Sequence, residues 1–115
     1  MAVSGAYTVT GNTIKLTAAT SAPTPLQCSS VTLGGNQYRI INASTTQGCF
    51  LSFASDAATA TANCVIPTGA GANSSRTLYI LPSTDEVITF VPNAYFTAIT
   101  PANTADLYIV PGDGL

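Results

Sequence analysis

The feature that most constrains this chain is its punctuation. In the C-terminal third, four runs rich in β-branched and aromatic residues lie at 76–81, 86–91, 95–99 and 107–110. Pro82, Pro92-Asn93, Pro101 and Pro111-Gly112 separate or follow them. Runs recurring every 8–12 residues or so, each closed by proline or glycine, have the rhythm of a sandwich or barrel. No stretch of helix length carries an apolar period of 3.6 residues.

The N-terminal part reads the same way. Residues 12–17 alternate, with Ile14 and Leu16 on one face and Thr13, Lys15 and Thr17 on the other. Residues 26–33 form a second candidate strand, followed by a tight turn at Gly34-Gly35-Asn36. Residues 37–43 set Tyr38 and Ile40 opposite Arg39 and Ile41, and 48–54 set Cys49, Leu51 and Phe53 opposite Phe50 and Ser52. The stretch SDAATATANC fits either a loop or a short Ala-rich helical turn, and 64–67 reads as a short strand or edge segment. The Gly/Ala/Ser stretch at 68–75 reads as a flexible loop. The expected fold is an all-β, antiparallel β-sandwich, jelly-roll-like, with about seven to nine short strands. Its 115 residues form one domain, with residues 1–10 a candidate extended N-terminal arm.

Charge is sparse. Three basic residues (Lys15, Arg39, Arg76) and five acidic ones (Asp56, Asp85, Glu86, Asp106, Asp113) make up 7% of the chain, against about a quarter in a typical soluble domain. Two readings fit: a hydroxyl-rich extracellular module, or a surface covered by neighbours in an assembly. Three cations build no phosphate-binding patch, so nucleic acid is not an expected partner. The apolar runs are too short to span a membrane, and the start lacks the charged and apolar regions of a secretory signal. For a chain made in the cytoplasm, Cys28, Cys49 and Cys64 are expected as buried, reduced thiols.

Residues for catalysis are missing. Without histidine there is no usual neutral-pH base, no Ser-His-Asp or Cys-His pair and no imidazole ligand. The cysteines lack close CxxC spacing, and no phosphate-binding glycine motif occurs. Asp85 and Glu86 are adjacent in an extended run and point to opposite faces. Asp106 and Asp113 do not match a calcium loop. The expectation is no enzyme, no cofactor and no metal.

Several runs are apolar on both faces: Leu78 and Ile80 oppose Tyr79 and Leu81, while Ile88 and Phe90 oppose Val87 and Val91. A free-standing sandwich wets one face of each sheet, so double-sided apolarity points to a second contact. Arg39, set among Tyr38 and Ile40, has the character of an interface anchor. The candidate protein-contact residues are Arg39, Tyr79, Leu81, Tyr95, Phe96 and Tyr108.

Over residues 37–115 the chain resembles small virion proteins of tailed bacteriophages. The resemblance rests on Arg39-Ile40-Ile41-Asn42, Phe50-Leu51-Ser52-Phe53 and Glu86-Val87-Ile88-Thr89-Phe90-Val91-Pro92. It continues through Ala94-Tyr95-Phe96-Thr97-Ala98-Ile99 and the terminal Ala105-Asp106-Leu107-Tyr108-Ile109-Val110-Pro111-Gly112-Asp113-Gly114. It implies a head decoration, or cement, protein: a small β-sandwich on the capsid surface that binds the major capsid protein and clamps capsomers. The double-sided apolar strands add the expectation of a homodimer or homotrimer, since closed symmetry buries a repeated apolar patch. The alternatives are a small tail, neck or fibre-associated protein that mediates assembly or binds host carbohydrate, and a secreted adhesin-like module.

Overall fold

Four hairpin-like pairings organise the chain, and each couples one strand from the first half of the roll to one from the second. A computed structural model describes residues 7–29, 36–69 and 75–114. Among these, the elements run β1 (Thr8–Val9), β2 (Ile14–Ala18), β3 (Leu26–Gln27), β4 (Gln37–Asn42), β5 (Cys49–Ala54), α1 (Ala57–Asn63), β6 (Leu78–Ile80), β7 (Asp85–Thr89), β8 (Tyr95–Ile99) and β9 (Ala105–Asp113). Strand β2 pairs with β9, β3 with β8, β4 with β7 and β5 with β6, all antiparallel. This nesting describes one long hairpin rolled up on itself. Two further pairings, β4 with β9 and β5 with β8, join the rungs. The result is a five-stranded sheet I (β1 and β2 along one edge of β9, then β4 and β7) facing a four-stranded sheet II (β3-β8-β5-β6). That strand order is a jelly-roll β-sandwich.

The turns show why the roll forms here. Ser83, Asn93 and Asn103 all have positive φ, near 60°. Pro82 and Pro92 immediately precede the first two of them. Proline sets the first turn position near −65°, and a residue tolerating the left-handed region closes the turn. Each of the connections β6–β7, β7–β8 and β8–β9 therefore ends a strand and reverses the chain.

Alternation then fills the space between the sheets. From sheet I, Leu16, Ala18, Tyr38, Ile40, Leu107 and Ile109 are buried; from sheet II, Cys49, Leu51, Ile80, Phe96 and Ala98 meet them. Tyr38 spans the sandwich: its ring sits edge-on to Phe96 at 4.9 Å. Its hydroxyl donates to the Val91 carbonyl at 2.6 Å and accepts from the Ala94 amide at 3.1 Å. Asn42, only 1% exposed, donates to the Gln47 and Ile80 carbonyls and accepts from the Ser44 amide. A buried amide with both ends engaged pins the β4–β5 connection.

Of the two alternatives for the 55–64 stretch, the helical one is realised: it contains helix α1, capped by Asp56, whose carboxylate accepts from the Thr59 amide at 2.8 Å. Two expectations change. Residues 64–67 form no strand. Strand β9 runs on through Pro111 and Gly112 to Asp113. It can do so because Pro111 lies between the segments paired with β2 (105–109) and β1 (112–113) and serves as an acceptor, its carbonyl taking the Thr10 amide at 3.0 Å. Of the second candidate strand only Leu26–Gln27 is extended and paired within the described residues. The turn glycines Gly34 and Gly35 lie outside them. So does most of the 68–75 loop; of the proposed N-terminal arm, Thr8–Val9 is a short strand on β9.

Replacing Tyr38 with Phe keeps the ring contact but leaves the Val91 carbonyl and the buried Ala94 amide without their partner. The unfolding free energy in a urea titration is expected to fall by about 1–3 kcal/mol. A loss below about 0.5 kcal/mol would show that this hydroxyl does not hold the β7–β8 turn.

Candidate functional site

Because opposed residues in a ladder share a face, the strand registers assign every outward side chain. On sheet I, one outward row reads Lys15, Tyr108, Ile41, Asp85 across β2, β9, β4 and β7, and the next reads Val110, Arg39, Val87. Two ion pairs frame it. Arg39 reaches Asp85 Oδ2 through Nε at 2.7 Å and Nη2 at 2.6 Å. Lys15 Nζ lies 3.8 Å from Asp106, whose other oxygen accepts from Thr17 Oγ1 at 2.8 Å. All four side chains are about half exposed, so each pair stabilises the fold by no more than about 1 kcal/mol. Tyr7 lies across the far end of this face: its hydroxyl donates to the Val110 carbonyl at 2.6 Å. A Cβ on Gly112 would sit 2.5 Å from both the Tyr7 ring and the Thr8 carbonyl, so the strap needs glycine there.

Sheet II is different in kind. Its outward rows are Tyr79, Phe50, Ile99; then Ser52, Thr97; then Ala54, Tyr95, Gln27. Helix α1 covers the middle row, with Ser52 Oγ donating to the Ala60 carbonyl at 2.8 Å. Thr97 Oγ1 donates to the Pro23 carbonyl at 2.7 Å on the same row. What stays open is the first row, with Leu81 beside it. Tyr79 is 41% exposed and Leu81 54%, and the Tyr79 ring packs against Phe50 at 4.7 Å. No charged side chain stands in this row. Close approach of Tyr79 to the chain requires Gly48, where an added Cβ would collide with the tyrosine ring.

The six candidate contact residues thus fall in different places. Arg39 and Tyr108 are on the outer face of sheet I, with Arg39 held by Asp85. Tyr79 belongs to the uncharged row of sheet II with Leu81 beside it, and Tyr95 lies beyond the helix in the third row. Phe96 is a correction: it is fully buried between Tyr38 and Phe53 and contributes to the core. Its neighbour Tyr95 takes the outward position because successive strand residues alternate. Phe50 and Ile99 complete the uncharged row and were not among the candidates. Their signal was the two-sided apolarity of 49–54 and 95–99, which became a surface only once the registers placed them side by side.

Among the described residues no group of three or more His, Cys, Asp or Glu gathers to hold a metal ion, and no helix is long and apolar enough to cross a membrane. Asp106 and Asp113 stand seven residues apart on β9, about 23 Å along an extended strand. Cys28, Cys49 and Cys64 are buried free thiols. Burial pushes Cys28 and Cys49 up to about 12 and Cys64 up to about 11.

Comparison with protein-family models, with curated proteins and with solved structures gives no significant match.

The thiols make an alkaline prediction. Each native pKa lies above the ordinary value of 9, so the folded state holds its protons longer than the unfolded chain. Their contribution is complete below pH 9 and is lost as pH rises from 9 to about 12. The urea midpoint should fall through that window, and replacing all three with Ser or Ala should flatten the decline. An unchanged pH slope in the triple variant would sink the assignment.

Proposed function

We propose that this chain is a structural virion protein, a decoration or cement protein that binds the assembled major capsid lattice of a tailed phage and stabilises it. The observation that carries the reading is the uncharged outward row of sheet II, Tyr79, Phe50 and Ile99 with Leu81 beside it. Interface cores are poor in charge and rich in aromatic residues, and a contiguous apolar patch on a small domain marks a contact site. The jelly-roll architecture is one that capsid-associated domains use, although a fold alone does not assign a role. The sequence resemblance over residues 37–115 adds to this.

The mechanism is linkage. A protein that binds only the assembled lattice stabilises it by mass action, and each copy bridging two subunits raises the cost of separating them. Sparse charge limits repulsion between many neighbouring copies. The outer face of sheet I, carrying Arg39 and Tyr108, is then available for a dimer or trimer contact.

The test is quantitative mass spectrometry of purified virions, comparing moles of this chain with moles of major capsid protein. A ratio near one, or a simple fraction, supports the lattice role. A handful of copies per particle replaces it with a tail, neck or fibre role, and absence from particles overturns both. In co-sedimentation with capsids stripped of the protein, Leu81→Asp combined with Tyr79→Ser is expected to weaken binding at least 100-fold, about 2.7 kcal/mol. Thermal unfolding of the free protein should be little changed. Undiminished binding by the double variant would move the contact to another face.

A further inference from the structure

A cleft of about 500 Å³ opens at the end of the sandwich where β5, α1 and the approach to β6 meet. It is of the size that holds a small organic ligand. We propose that it binds a small monocarboxylate with a flat apolar body. The cleft lies at a different end of sheet II from the Tyr79 row.

The floor is aromatic and aliphatic. Phe53 and Phe90 meet edge-on at 5.0 Å, and Leu78 stands beside them. The rim is polar, with Asn63 at the end of α1 and Thr77 and Arg76 before β6. Arg76 is set in place from its backbone, whose amide donates to the Asn63 carbonyl at 3.1 Å.

Charge selects the ligand class. Of the three cations, Lys15 and Arg39 each meet an aspartate, while Arg76 meets no carboxylate among the described residues. Asp56, the acid at the start of the same helix, is engaged at its cap by the Thr59 amide and hydroxyl. One guanidinium beside an apolar floor matches one negative charge on an apolar body. Its planar fork suits a carboxylate, whereas a doubly charged phosphate would lose hydration against Phe53 and Phe90 with a single cation to offset it.

The experiment titrates the ¹⁵N-labelled protein with N-acetyltryptophan and, separately, with its uncharged amide. The acid should give saturable shifts clustered at Phe53, Asn63, Arg76, Leu78 and Phe90, with Kd on the order of 1 mM. The amide should bind at least about 5-fold more weakly. Arg76→Gln should bring the two to equal affinity, and Arg76→Lys should restore part of the preference. Scattered or unsaturable shifts up to about 10 mM, or equal affinity of acid and amide for the unaltered protein, overturn the proposal.

Discussion

The pairing of β4 with β9 is the interaction on which the rest of the structure depends. Without it sheet I splits into a β4–β7 ribbon and β9 with its two short edge partners, and a two-stranded ribbon is marginal in water. With it, six consecutive registers from Gln37–Gly112 to Asn42–Leu107 join the β2–β9 rung to the β4–β7 rung. The inner positions Tyr38, Ile40, Leu107 and Ile109 then form one apolar surface wide enough to cover sheet II. The partners are distant in sequence, so this ladder carries a loop-closure cost before any packing repays it. Folding of such a topology is correspondingly slow.

Helix α1 decides what sheet II shows to the outside. Its alanines allow close approach, and Ala60 is fully buried against the sheet. Ser52, a polar residue at an outward strand position, is buried and satisfied by the helix carbonyl of Ala60. The cover splits the face in two. Tyr79, Phe50 and Ile99 remain together on one side, and Tyr95 is stranded on the other. The same helix supplies Asn63 to the end cleft. One seven-residue helix thus bounds both surfaces to which a binding role is assigned.

Electrostatics separates the two outer faces. Four of the charged residues gather on sheet I as the Arg39–Asp85 and Lys15–Asp106 pairs. Each pair cancels its own charge locally, so this face can approach a neighbour without a strong field of either sign. The open row of sheet II has no charge to desolvate. Removing an uncharged aromatic row from water is favourable, whereas burying an ion pair is close to neutral or costly. That difference makes the sheet II row less costly to cover than the Arg39–Tyr108 face.

Local pattern determined which residues share a face. The alternation of 12–17, 37–43 and 48–54 already grouped Ile14 with Leu16, Tyr38 with Ile40, and Cys49 with Leu51 and Phe53 on shared faces; which face is buried came from the packing of the two sheets. Pro82 and Pro92-Asn93 already marked breaks between runs, and the structure adds the left-handed residues Ser83 and Asn93 that close the turns. These are consequences of period-two geometry and turn sterics, which act within a few residues. Strand order, the length of β9, the helical state of 57–63 and the burial of Phe96 beside an outward Tyr95 were decided by tertiary structure. Pro111 can extend a strand only where it serves as an acceptor, and an Ala-rich segment stays helical only when a sheet lies beneath it. The surface row of Tyr79, Phe50 and Ile99 is the same kind of fact. Its members come from three strands, and only the register of those strands makes them neighbours.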